Sequence, residues 1–93
     1  MERHYNITIN GKVQGVSFRA SAKQMADLLA IKGFVRNESN RDVYIEAEGE
    51  EDMLVKFIQW CHHGPANADV KHVSVREGIA LNYKTFEITR SKE

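Results

Sequence analysis

Ninety-three residues are enough for one compact domain and leave no room for a second, so residues 1–93 are expected to form a single unit. Thirteen Lys and Arg against 13 Asp and Glu give zero formal net charge, which argues against a broad electrostatic footprint for nucleic acid. One cysteine, Cys61, allows no intrachain disulfide and fits a reducing compartment. Met1 to Tyr5 lack the charged start and long apolar stretch of a signal peptide, and no apolar run approaches the ~18 residues of a membrane span. The expectation is a cytoplasmic monomer with no nucleic-acid or membrane partner.

Tyr5, Ile7 and Ile9 alternate with Asn6, Thr8 and Asn10, the period of a half-buried strand. A loop from Gly11 to Gly15 follows. Phe18, Ala22, Met25, Ala26 and Leu29 then fall at spacings of three and four, as on one helix face. Gly33 stands where a left-handed residue ends a helix. Phe34 and Val35 begin a second strand, and residues Glu38 to Asp42 form a polar turn in which Asn40 is best suited to a left-handed conformation. Val43, Ile45 and Ala47 mark a third strand, forming a hairpin with the second. Glu50, Glu51 and Asp52 favour a helix start, Leu54, Phe57, Ile58 and Cys61 make its inward stripe, and Gly64-Pro65 stops it. Val70, Val73 and Val75 suggest a fourth strand, with clean alternation interrupted at Lys71-His72. Phe86 and Ile88 mark a last one.

This order predicts an α+β, ferredoxin-like split β-α-β sandwich: an antiparallel sheet with two helices on one face. The scaffold alone does not give function, because enzymes, RNA binders and metal carriers share it.

Chemistry is concentrated in the first loop. Its two glycines permit tight conformations that turn several N–H groups toward one point. A helix opens near Phe18 or Arg19, so its positive end faces the same point. Arg19 adds a planar guanidinium suited to two phosphate oxygens. All three features favour a bound phosphate.

Gly11-Lys12-Val13-Gln14-Gly15-Val16-Ser17-Phe18-Arg19 resembles the G-x-V-Q-G-V-x-F-R signature of the acylphosphatase family, with seven specified residues at fixed spacing. Gly33-Phe34-Val35-Arg36-Asn37 is similar to the family's G-[aromatic]-V-[basic]-N segment, and Val43 to Gly49 to its V-x-(I/V)-x-A-x-G strand. Phe57, Trp60, Gly64-Pro65, Phe86 and Ile88 extend the resemblance from about Tyr5 to Ile88. One departure is the turn Glu38-Ser39-Asn40-Arg41-Asp42, which lacks the glycine common there. The resemblance implies an enzyme that hydrolyses a small acyl phosphate to a carboxylate and inorganic phosphate, without metal or cofactor. It implies that phosphate is bound by Arg19 and by backbone N–H groups of Gln14, Gly15, Val16, Ser17 and Phe18. Arg19 and Asn37 are then the catalytic residues, Asn37 positioning the attacking water. An acyl phosphate has a good leaving group, so positioning and charge stabilisation suffice. The Gln14 side chain is expected to support the loop.

Other candidates are weaker. Cys61 lies on an apolar stripe, and the carboxy end of a helix is the wrong pole for a reactive thiolate. His62 and His63 are adjacent, so on a helix they point about 100° apart, unlike metal pairs at spacings of three or four. Ser17 occupies the variable position of the motif and has no paired histidine. The rival from another class is an RNA-recognition module of the same fold, which needs stacking aromatics on its open face; Tyr5 and Tyr44 are candidates, but the basic-Gly-aromatic segment is absent. A further rival is the acylphosphatase-like domain of hydrogenase-maturation carbamoyltransferases, which continue into zinc-binding cysteine clusters. A non-catalytic phosphate-binding relative is the remaining alternative.

Overall fold

Ile7 and Ile9 point to one side of the first strand and are fully buried, while Asn6 and Thr8 face the other side and remain partly exposed. A computed structural model describes residues 1–90 and shows what this alternation builds. The elements are β1 (Glu2–Lys12), α1 (Phe18–Leu28), β2 (Lys32–Asn37), β3 (Val43–Glu50), α2 (Glu51–Cys61), β4 (Asp69–Glu77) and β5 (Phe86–Ile88). The sheet order is β4-β1-β3-β2-β5. The split β-α-β arrangement expected from the element order is therefore present.

The first four strands pair antiparallel, whereas β5 joins β2 in parallel, through Gly33–Phe86 and Val35–Ile88. The sheet is thus mixed. Residue 86 arrives at the edge of β2 from the β4 side, so the chain crosses the sheet and runs in the same direction as β2.

Both helices cover one face. Phe18, Ala22 and Ala26, spaced by four, are the buried residues of α1, and Leu54, Phe57 and Cys61 are those of α2. They close over Ile7, Ile9, Val35, Val43, Ile45 and Ala47. Removing each large apolar side chain from water contributes about 2 kcal/mol. The interruption at Lys71 is a register shift: Asn10 pairs with His72 and Gly11 with Val70, leaving Lys71 as the extra residue of a bulge.

Two local expectations are corrected. Helix α1 ends at Leu28, and Ala30, with φ of 58°, is the left-handed residue after it. Gly33 instead lies inside β2 with φ of 141°, where a Cβ would come within 1.8 Å of the Glu46 carbonyl oxygen. Glycine is required there by close strand approach, not by a helix end. In the 38–42 turn the left-handed residue is Arg41, with φ of 79°, not Asn40. Asn40 acts through its side chain: its Oδ1 accepts from the Asp42 N–H at 3.1 Å, fixing the turn as an Asx motif.

Candidate active site

Residues 13–17 connect β1 to α1 at the end of the sheet where β2 also finishes. Val13 and Val16 tuck into the core and hold this loop down. Between and after them, Gly15 and Ser17 adopt left-handed conformations, with φ of 74° and 65°. This backbone pattern turns successive amides away from the sheet ladders. Among the described residues, the N–H groups of Gln14 to Arg19 make no hydrogen bond. The Ser17 hydroxyl does not cap α1 either. The loop therefore offers free donors at the positive end of a helix, the arrangement that attracts an anion.

A cavity of about 250 Å³ opens at this point. It is lined by Gly15 and Ser17 of the loop, Phe18 and Arg19 at the start of α1, Asn37 of β2, and Val13, Ala20 and Ile88. Arg19 is half-buried in the first turn of α1, and its Nη1 donates to the Thr89 carbonyl oxygen at 3.4 Å. One of five guanidinium donors is thereby used to aim the group, and the others remain for a ligand. Asn37 is the last residue of β2, opposite Val43 in the β2–β3 ladder. Among the described residues its carboxamide makes no hydrogen bond.

Five of the predicted site residues thus border one cavity. Gln14 and Val16 do not border it with their side chains, which leaves their backbone N–H groups as the part of the expectation that concerns phosphate. The Gln14 side chain reaches away, to the 38–42 turn, where Nε2 donates to the carbonyls of Glu38 and Asp42, each at 2.9 Å. Phe18 is buried and packs on Trp60 with ring centroids 5.2 Å apart, which anchors the start of α1. Sequence reasoning missed Thr89 and Ile88 as parts of the site. A backbone carbonyl leaves no side-chain signal, and Ile88 reads only as a strand residue.

The other candidates stand apart. Cys61 is fully buried, and burial pushes its thiol far above the ordinary range, so thiolate chemistry is suppressed. His62 and His63 are exposed beyond α2, and among the described residues no group of three or more His, Cys, Asp or Glu is placed to hold a metal ion.

On the open face, Arg36 lies over the rings of Tyr44 and Phe34, at 4.9 and 5.4 Å. Tyr44 and Tyr83 both donate to Glu46 at 2.8 Å, and burial with that carboxylate neighbour pushes the Tyr44 hydroxyl up to about 12. The aromatics there are already engaged with protein groups and sit among carboxylates, unlike a stacking platform for RNA.

The sequence model of the acylphosphatase family matches residues 5–88. An acylphosphatase from Nocardioides sp. is 40% identical over 88 residues, which cover 95% of this chain and 89% of that protein. The structure of an acylphosphatase from Coxiella burnetii is similar with a TM-score of 0.92 and 36% identity, over 95% of this chain and 93% of that one. Full-length HypF in its phosphate- and nucleotide-bound form is also similar, with a TM-score of 0.91 and 34% identity, over 98% of this chain and 12% of that longer one. With a motif-bearing loop, a matching fold and near-complete coverage in agreement, the chain belongs to the acylphosphatase family.

Proposed function

We propose that this acylphosphatase holds the phosphoryl group of its substrate on the N–H groups of residues 14–18 and on Arg19, while the Asn37 carboxamide orients the attacking water. The observation that carries this reading is that Arg19 and Asn37, from α1 and β2, border the same 250 Å³ cavity as the loop. The water oxygen attacks phosphorus in line with the acyl oxygen. The P–O bond to the acyl group breaks, its electron pair leaves with the carboxylate, and the water's proton ends on phosphate or in solvent. Charge on the equatorial phosphoryl oxygens is met by the guanidinium and the amide dipoles. A neutral amide is too weak a base to take the proton, but its carbonyl can accept one O–H of the water and so fix its direction. The leaving carboxylate needs no strong general acid, which is why a metal-free mechanism is proposed.

The setting is proposed as cytosolic and monomeric, without nucleic acid. Support comes from the single cysteine, which allows no intrachain disulfide, the zero net charge, and the carboxylates on the open sheet face. No described helix is long and apolar enough to cross a membrane.

Release of inorganic phosphate from a synthetic aryl acyl phosphate, with and without a chelator, tests the proposal. Turnover that persists under chelation is expected. Phosphate binding with no rate above the spontaneous one would instead identify a non-catalytic binding module, and chelator-sensitive turnover would refute the metal-free mechanism.

A further inference from the structure

The ends of β1 and β2 point the same way but are not neighbours, because β3 lies between them. Two strand spacings separate them, about 10 Å. The phosphate loop follows β1 and Asn37 ends β2, so no main-chain ladder fixes the loop relative to Asn37 directly. One side chain crosses the gap. Both N–H bonds of the Gln14 carboxamide are directed at the far turn, to the Glu38 and Asp42 carbonyl oxygens at 2.9 Å each. Those two carbonyls are also the ones that close the turn, accepting from Arg41 N at 3.1 Å and Glu38 N at 2.8 Å. The Asn37–Glu38 peptide N–H is the donor to that Asp42 carbonyl, so fixing the turn limits the rotation of the Asn37 backbone.

We infer that Gln14 is a positioning residue that sets the distance between the bound phosphoryl group and the water held by Asn37. It acts on the rate of attack and not on phosphate affinity, a role that rests on the reading of Asn37 as the water-orienting group. A glycine-free turn gives the clamp particular value here, because Arg41 carries the left-handed conformation at a steric cost. Gln14 supplies two hydrogen bonds that keep the turn in this form. Misplacing a reacting group by about 1 Å costs on the order of 100-fold in rate.

The test compares kcat, KM and the competitive Ki of inorganic phosphate for wild type, Gln14→Met, Gln14→Glu, Asn37→Ala and Gln14→Met/Asn37→Ala. Gln14→Met keeps the length and loses both donors. It is expected to lower kcat about 10- to 100-fold while the phosphate Ki stays within about 3-fold. The double variant should be no slower than Asn37→Ala alone, because Gln14 acts through Asn37. Gln14→Glu sets an ionised carboxylate against two carbonyls, and its kcat should recover as acid restores one O–H donor, a pH profile that Gln14→Met lacks. This profile carries the test if the Met variant does not fold. An unchanged kcat in the Gln14 variants, a phosphate Ki weakened as much as kcat, or additive losses in the double variant would overturn the inference. Wild-type kcat in Asn37→Ala would overturn the reading of Asn37 first, and the clamp's role with it.

Discussion

His4 and Glu48 face each other across the β1–β3 ladder, and His4 Nδ1 meets Glu48 Oε2 at 2.7 Å in a buried contact. The same carboxylate accepts the backbone N–H groups of Leu81 and Tyr83, so it fastens the 78–83 segment onto the open sheet face. Burial alone would raise the Glu48 carboxyl, but the Leu81 N–H, His4 and the Tyr83 N–H together hold it below its ordinary value. A depressed carboxylate contributes stability that is complete above the unfolded-state value of 4.5 and is lost as pH falls through the lower folded-state value. Glu48→Gln should therefore destabilise the protein at pH 7 by about 1–3 kcal/mol, with the difference from wild type shrinking below about pH 4.5. Urea titrations of both proteins from pH 7 to pH 3 check this; a difference that does not vary with pH would contradict it.

Gly33 has no room for a side chain. A Cβ would approach the Glu46 carbonyl oxygen to 1.8 Å and its carbon to 2.7 Å, both backbone atoms of the neighbouring strand. With φ of 141° the strain of an L-residue adds to the clash. Gly33→Ala should cost about 3 kcal/mol or more, measured as a lowered denaturation midpoint. A loss under about 1 kcal/mol would mean that β2 and β3 separate more readily than their pairing suggests.

Arg41 presents the opposite case, a side chain where glycine would be easier. Its φ of 79° costs an L-residue about 1 kcal/mol, partly offset in a glycine variant by greater freedom of the unfolded chain. Arg41→Gly is expected to stabilise the protein by about 0.5 kcal/mol and to leave kcat within about 2-fold of wild type. Thermal melts and initial rates decide it; destabilisation would show that the arginine side chain holds the turn.

Most of the fold was legible in the residues. The alternation in Tyr5 to Asn10, the four-residue spacing of Phe18, Ala22 and Ala26, and the Val43 to Ala47 alternation are local consequences of burying one face. They survive because each element buries the face its own pattern specifies. Gly33 is not legible in this way, because a glycine after a helix and a glycine demanded by a neighbouring strand look alike without the partner strand. The parallel addition of β5 depends on a long connection after β4 and has no local signature. The site was half legible. Arg19 and Asn37 could be nominated from their motifs, but the reach of Gln14 to Glu38 and Asp42, and the contact of Arg19 with Thr89, link residues distant in sequence. The His4–Glu48 pair was hidden for the same reason.

The proposed division of labour between the 13–17 loop and Asn37 is tested most directly by Asn37→Ala, assayed for both turnover of an aryl acyl phosphate and competitive inhibition by inorganic phosphate. Asn37 lines the same cavity as Arg19 and the loop but comes from β2, so removing its carboxamide should leave phosphate bound with Ki within about 3-fold of wild type, while kcat falls about 100-fold or more. A variant that binds phosphate as before and still turns over at the wild-type rate would contradict the assignment of Asn37 as the group that orients water.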